Sequence, residues 1–328
     1  MEFDLNAYPL PLVDGDTLFI DNSTLERFVT CPRSAGYYVG LRRELNKSRA
    51  ALEFGKIIHE ALAYRYANYT GYVEPACVAG MVACLDKGFA SYHPEDDEWR
   101  NYGIAVSAVQ HYNATYPMEE FEVVQFGGKP FVEQPFAIPL GEITVNAELW
   151  IRDPVTNEIR KAYVGTLKIV WKGKIDLAYR RESFLYGMDH KTTSIMGPGF
   201  FSEFELSHQV HGYSWAIKKL LGSLPRGFVI NGLGIRKPTK TGKSLEFTRQ
   251  IIPIYDSLVD EWELDTLHIV SDFVEMCRRG YLPKHTKWCV GKYGACEYKQ
   301  VCGLEPAQRA AAIGSNEYRN VTWDPLKE

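Results

Sequence analysis

The sequence predicts an α/β protein with a mixed central sheet flanked by helices. Three observations carry this. Helical periodicity recurs through the N-terminal third, a run of alternating β-formers begins near Phe121, and a strand–helix–strand succession follows Phe184. Composition agrees: of 328 residues, 45% are hydrophobic and 24% charged, as in globular chains and unlike disordered or coiled-coil ones. The 37 basic and 41 acidic residues leave a net charge of −4, which excludes a protein that holds nucleic acid through bulk charge but leaves room for local basic grooves. No apolar run approaches the roughly 18 residues of a membrane span. The first residues carry Glu2 and Asp4 and no basic cluster, so they do not read as a signal peptide. The expectation is a soluble, cytoplasmic protein.

Each element has its own signal. Residues 1–22, with their Pro, Asp and Gly, read as a lead-in arm. Ser23-Thr24-Leu25-Glu26 has the capping-box form, so a short helix starts there and runs toward Cys31-Pro32. Between Glu53 and Tyr66, Phe54, Ile58, Ala61 and Leu62 follow the helical period. A second helix covers roughly 75–92. The acidic run Glu95-Asp96-Asp97-Glu98, read as a solvated turn or helix start, precedes a third through Val106 and Val109. Residues 131–140, 143–151 and 167–179 alternate as strands, with turns at Leu140-Gly141 and Asp153-Pro154. A strand over 184–191 follows, then a helix carrying Leu206, Val210, Tyr213, Ile217 and Leu220, and a strand over 227–235. A basic turn from Lys237 to Ser244 leads to a strand over 245–254 and a long helix over about 256–279.

Chemistry concentrates in two short motifs. Gly173-Lys174-Ile175-Asp176 and Asp189-His190-Lys191 stand at the ends of predicted strands separated by a turn around Glu182-Ser183. Antiparallel neighbours joined in this way can bring Asp176 and Asp189 to one end of the sheet. Two carboxylates there make a hard-cation site suited to Mg²⁺ or Mn²⁺. Lys191 lies two residues after Asp189 and shares its strand face. Its ammonium can hold an attacking water and offset charge growing on a phosphate. Alone, such a triplet is more often a pair of solvated strand residues, so its neighbours matter. His59 sits one helical turn after Gly55, which leaves the helix surface bare beside it; a lone histidine is more often a satisfied structural residue. Gln209 and Tyr213 are four apart on a predicted helix and share a face, though in isolation they read as a polar edge beside a core tyrosine. Glu133 is a weaker candidate for a metal or supporting role, and reads as well as a surface strand acid.

Seven cysteines are an odd number, and a disulfide framework is not expected in a chain of this kind. Cys289, Cys296 and Cys302 crowd together as C-x6-C-x5-C, one short of four ligands. Cys31, followed by Pro32-Arg33 in a turn-like context, is the candidate fourth. Four thiolates suit either a [4Fe–4S] cluster or zinc, and would tie the two ends of the chain together. Cys77, Cys84 and Cys277 read as core residues.

In chain order the motifs run Leu25-x2-Phe28-x2-Cys31-Pro32-Arg33 with Tyr37-Tyr38, then Gly55-x3-His59, Glu133, Gly173-x2-Asp176, Asp189-x-Lys191, Gln209-x3-Tyr213 and the Cys289, Cys296, Cys302 tail. This order resembles the RecB-like branch of the PD-(D/E)xK nuclease superfamily. Within it, it resembles members with an iron–sulfur staple: AddB-type nuclease domains, CRISPR adaptation nucleases and phage-encoded RecB-like exonucleases. The resemblance spans about 23–303. It implies a restriction-endonuclease-like core with a helical insertion at about 67–120, a cysteine-rich staple at 285–303 closing on Cys31, and a C-terminal tail at 304–328. It further implies that His59, Asp176 and Asp189 bind the catalytic metal, with the backbone carbonyl of His190 as another ligand. Lys191 would be the catalytic lysine, Gln209 and Tyr213 the family's Q-x3-Y motif, and Cys31, Cys289, Cys296 and Cys302 the ligands of a [4Fe–4S] cluster. Two features depart from the family pattern. The tail often begins C-x2-C-x5-C, whereas the first gap here is six. The aromatic of D-Y-K is His190 here, its side chain expected on the opposite strand face.

The functional expectation is metal-dependent hydrolysis of DNA phosphodiesters, by an exonuclease acting on DNA ends or single strands in recombination, repair or phage DNA processing. Basic residues on either side of the cysteines, among them Arg33, Arg42, Arg43, Lys287 and Lys292, would meet the backbone. Tyr37, Tyr38, Trp288 and Tyr293 would stack on unpaired bases. No G-x4-G-K-[ST] motif is present, so unwinding is expected from a helicase, annealing or recombination partner, and a homo-oligomer is compatible with the sequence. Two other classes compete: an iron–sulfur DNA-end-binding protein without nuclease activity, and a zinc-stapled structural protein. Cleavage separates the first and metal content the second.

Overall fold

The computed structural model describes residues 8–47, 50–92, 99–197, 199–239, 244–291 and 294–321. The fold is α/β, a mixed sheet flanked by helices, and the chain divides into two compact units. One comprises Met1–Lys47, Phe136–Gly173 and Asp260–Glu328, the other Ser48–Pro135 and Lys174–Val259.

In the second unit the strand Phe184–Thr193 lies between two neighbours. It runs antiparallel to the C-terminal part of Ile159–Arg181 and parallel to Gly227–Ile235, which pairs antiparallel with Leu245–Pro253. Every residue of Gly227–Ile235 is buried, which is why it reads as a near-continuous apolar run rather than an alternating one. The helix His208–Leu221 joins the two parallel strands. Ser207 caps its start by accepting from the Val210 N–H, and Gly222 ends it in the left-handed conformation at φ 74°. Three helices, Ala50–Ala67, Pro75–Phe89 and Tyr102–Thr115, supply the rest of the core. Phe54, Ile58, Ala61 and Leu62 of the first meet Met81 and Leu85, then Ala108 and Val109, and close over Leu177, Met188, Val229 and Leu233 of the sheet. The expected helices and strands of this unit are present with their ends displaced by a few residues.

In the first unit the sequence reading needs three corrections. Residues expected as a lead-in arm form a hairpin, Leu10–Val13 with Thr17–Ile20. Leu10, Leu12, Leu18 and Ile20 alternate inward and are almost fully buried, so this short segment joins the sheet: Leu10 pairs parallel with Ile151, and Thr17–Ile20 runs parallel to Lys168–Trp171. The helix Asn22–Thr30 is capped by Asp21, not by Ser23; its Oδ1 accepts from the Thr24 N–H at 2.7 Å, and the Ser23 hydroxyl donates to the same carboxylate. No turn breaks the chain at Leu140-Gly141, where Val132–Arg152 is one strand. Gly141 serves close approach instead: a Cβ there would stand 3.0 Å from Leu267 Cδ1 on the helix Asp256–Arg278. That helix also packs Trp262 edge-on to Trp171 and stacks Phe273 on Phe28 at 3.9 Å. The tail folds back, and Tyr318–Asn320 pairs antiparallel with Arg43–Leu45. The acidic run at 95–98 and part of the basic turn, 240–243, lie outside the described residues. Among those described, no helix is long and apolar enough to cross a membrane.

Candidate active site

The strand register brings the two motifs together. Leu177 pairs with Met188, and one step further in the antiparallel register sets Asp176 opposite Asp189. Both carboxylates are buried. Asp176 Oδ2 accepts the His190 backbone N–H at 2.7 Å and lies 3.5 Å from His59 Nδ1. His59 stands on the helix Ala50–Ala67, which can approach the sheet because Gly55 has no side chain; a Cβ there would meet Thr192 Oγ1 at 2.7 Å. The bare helix surface anticipated beside His59 is thus filled by the strand that carries the D-x-K motif.

Glu133 completes the group. One ligand atom each from His59, Glu133 and Asp176 lies within 4.8 Å of the others, an imidazole and two carboxylates suited to Mg²⁺ or Mn²⁺. Glu133 reaches it with its backbone at φ +48°, a left-handed conformation that costs a non-glycine residue on the order of 1 kcal/mol or more and that collects at functional sites. Asp189, the other aspartate expected to bind the cation, is engaged here by Lys191 and Gln209. Its Oδ2 is 2.7 Å from Lys191 Nζ, and its Oδ1 accepts from Gln209 Nε2 at 3.0 Å. Gln209 Oε1 in turn accepts from Lys191 Nζ at 2.7 Å, so the amide fixes lysine and aspartate together. Tyr213, one turn on, is buried near Phe228.

The electrostatics fit a cation. Burial, and then the negative charges of Asp189 and Glu133, push the Asp176 carboxyl well above the ordinary carboxylate range. Burial lowers the His59 pKa, which keeps its imidazole neutral and its lone pair available. In metal-free protein the folded state therefore retains an Asp176 proton that the unfolded chain releases near pH 3.8. Stability is not penalised below that pH and is lost as pH rises from there toward the folded pKa. Asp176→Asn is accordingly expected to raise the Tm of EDTA-treated protein at neutral pH, and to abolish the Tm gain that Mn²⁺ gives the wild type. Scanning calorimetry at several pH values checks both signs.

The cysteines Cys31, Cys289, Cys296 and Cys302 all fall in the first unit and are free thiols. Cys302 lies within electrostatic reach of the other three, and burial followed by their charges pushes its thiol up. Backbone N–H groups point at two of the sulfurs, from His285 to Cys31 at 3.5 Å and from Tyr298 to Cys296. The surface residues expected to meet DNA need correction. Arg33 is buried and donates to the Leu282 carbonyl. Arg42 is buried and donates to Asn157, Arg43 to the Ile313 carbonyl. Tyr37 is buried edge-on to Tyr298. All four are interior residues that hold this unit together, and none is placed to track a nucleic-acid backbone. Lys287 and Trp288 are exposed, whereas Lys292 and Tyr293 lie outside the described residues.

Sequence reasoning missed a buried polar network behind the site. The His190 ring stacks on Tyr66, and its Nδ1 meets the Asn231 amide at 2.7 Å. Asn231 donates to the Tyr112 hydroxyl, and Arg249 donates to Tyr66, Tyr112 and Glu119, the last shared with Arg65. The available signal was Arg65, an arginine on the apolar face of the helix that bears His59.

No curated protein matches the chain. Among solved structures, a protein of Eubacterium rectale described as a candidate exonuclease has a TM-score of 0.43 at 14% identity, over 87% of this chain and 94% of that one. A second, SSO0001, has a TM-score of 0.28 at 13% identity, over 79% and 78%. The family model of the PD-(D/E)XK nuclease superfamily matches residues 22–303. That span holds the paired aspartates, the lysine beside them and the histidine and glutamate that face them, and the chain belongs to the PD-(D/E)XK nuclease superfamily.

Proposed function

We propose that this nuclease is a divalent-metal-dependent DNA exonuclease acting on ends or single strands, with a [4Fe–4S] cluster stapling its two termini. The observation that carries the reading is the side-by-side arrangement of His59, Glu133 and Asp176 with the Asp189–Lys191–Gln209 triad. A cation bound by the first three would polarise the scissile phosphate and lower the pKa of an attacking water. Lys191, oriented by Gln209 and Asp189, positions that water and offsets charge developing on the phosphate. The His190 carbonyl follows an N–H already bonded to Asp176, which supports it as a further ligand. DNA as substrate, and action at ends, follow from the RecB-like order of the motifs.

The cluster reading rests on four thiols from both ends of the chain drawn to one place. Four thiolates suit zinc as well as a [4Fe–4S] cluster. The cluster is preferred on the RecB-like order of the motifs, and iron and zinc content of one preparation separates the two.

The test is digestion of end-labelled linear and closed circular DNA, single- and double-stranded, by anaerobically purified protein in Mn²⁺. Loss of label from linear DNA with circles left intact is expected. Cutting of circles would replace the exonuclease by an endonuclease, and binding to ends without cleavage would favour the DNA-end-binding alternative.

A further inference from the structure

We propose that His190, through its ring, is a positioning residue of the cation site. Stacked on Tyr66 and held by Asn231, the ring sets how the helix Ala50–Ala67 lies on the sheet, and so places His59 against Asp176. The proposal rests on the metal-nuclease reading above and assigns a role to the side chain that D-x-K turns away from its lysine.

The strand Phe184–Thr193 serves the site from both faces. Asp189 and Lys191 meet Gln209 on the helix His208–Leu221. His190, between them, turns to the other face, where its ring meets the helix that carries His59. On that helix Gly55, His59 and Tyr66 follow the helical period and share one side. Two of them rest on the strand. At Gly55 a Cβ would meet Thr192 Oγ1 at 2.7 Å, and the Tyr66 ring stacks on the His190 ring, with centroids 5.6 Å apart and planes within 15°. His59 stands between these supports, its Nδ1 3.5 Å from Asp176 Oδ2 and its ring edge-on to His190 at 5.7 Å. A helix fixed to the strand at two points holds the side chain between them in one place.

The stack is itself held. Asn231, the register partner of His190, is fully buried, and its Oδ1 accepts from Arg249 Nε at 3.2 Å. The guanidinium can only donate, so the amide nitrogen is the end that faces the ring. Asn231 Nδ2 donates to His190 Nδ1 at 2.7 Å and to the Tyr112 hydroxyl at 2.8 Å. Arg249 Nη2 also donates to the Tyr66 hydroxyl at 2.9 Å. Both rings of the stack therefore end on one guanidinium, which Glu119 grips through both carboxylate oxygens at 2.6 and 2.8 Å.

Binding of Mn²⁺ to the full-length protein without DNA, followed by the paramagnetic resonance signal of the free ion, reads the site apart from cleavage. In His190→Ala the dissociation constant is expected to rise by about tenfold or more, the scale on which residues supporting a ligand act. His190→Phe keeps a ring to stack on Tyr66 and should recover most of that loss. Tyr66→Leu removes the stack from the helix side, should weaken Mn²⁺ binding as much, and should add little when combined with His190→Ala. The main chain of His190, which hydrogen-bonds Asp176 and His59, is present in every variant, so the comparison reads the ring. Leu85→Ala, a cavity elsewhere in the same core, is expected to lower Tm and leave the affinity unchanged. Unchanged Mn²⁺ affinity in folded His190→Ala or Tyr66→Leu would overturn the positioning role, as would a loss in Leu85→Ala equal to theirs. Wild-type protein that binds no Mn²⁺ would remove the metal-nuclease reading itself.

Discussion

Lys191→Ala is expected to lower kcat by at least about 10³-fold, the scale on which removing one charge-stabilising donor acts, with Tm and Mn²⁺ affinity close to wild type. The ammonium touches Asp189 and Gln209, not the His59–Glu133–Asp176 group, so its loss removes the charge that meets the phosphate without dismantling the cation site. Gln209→Ala should cost less, since it loosens the lysine rather than deleting it. Single-turnover cleavage in saturating Mn²⁺ reads the effect on chemistry alone. A Lys191→Ala enzyme within tenfold of wild type would show that the lysine has no part in the reaction.

The second large effect is on stability. Cys296→Ala is expected to bleach the proposed [4Fe–4S] cluster and lower Tm by on the order of 10 °C. A cross-link closing nearly the whole chain restricts the unfolded state by about 4–5 kcal/mol, at roughly 2–4 °C for each kcal/mol in a chain of this order of size. The protein should nonetheless fold. Its two ends are also joined by Arg33 to the Leu282 carbonyl, by an Arg27–Glu297 ion pair at 2.9 Å and by Tyr298 to the Arg43 carbonyl. Cleavage measured well below Tm should survive, because every residue of the candidate active site belongs to the other unit. Visible absorbance, iron content and a melting curve on one preparation check all three. A colourless wild type, purified without oxygen and carrying zinc but no iron, would remove the cluster.

Much of this site is legible in the sequence because strand and helix geometry fix it locally. The positions of Asp176 and Asp189 about a hairpin, of Lys191 two residues on, and of Gly55 four before His59 are matters of period and register. Glu133 is different: its arrival depends on a left-handed residue inside a strand, which no alternation pattern signals. Arg33 and Tyr37 were misread for a related reason. A basic or aromatic residue near a turn looks alike whether it faces a groove or a carbonyl from the far end of the chain, and here Leu282 and Tyr298 were the partners. Gly141 likewise looked like a turn until the helix it accommodates was in view. Local rules find residues that neighbours in sequence position, and they fail where a distant segment decides the environment.

His59, Glu133 and Asp176 are proposed to hold the cation of a phosphodiester-cleaving site. An anomalous difference map at the manganese edge, from crystals of the full chain grown in Mn²⁺, tests it most directly. A peak ringed by those three side chains is expected. A protein that binds Mn²⁺ elsewhere, with no density between them, would contradict it.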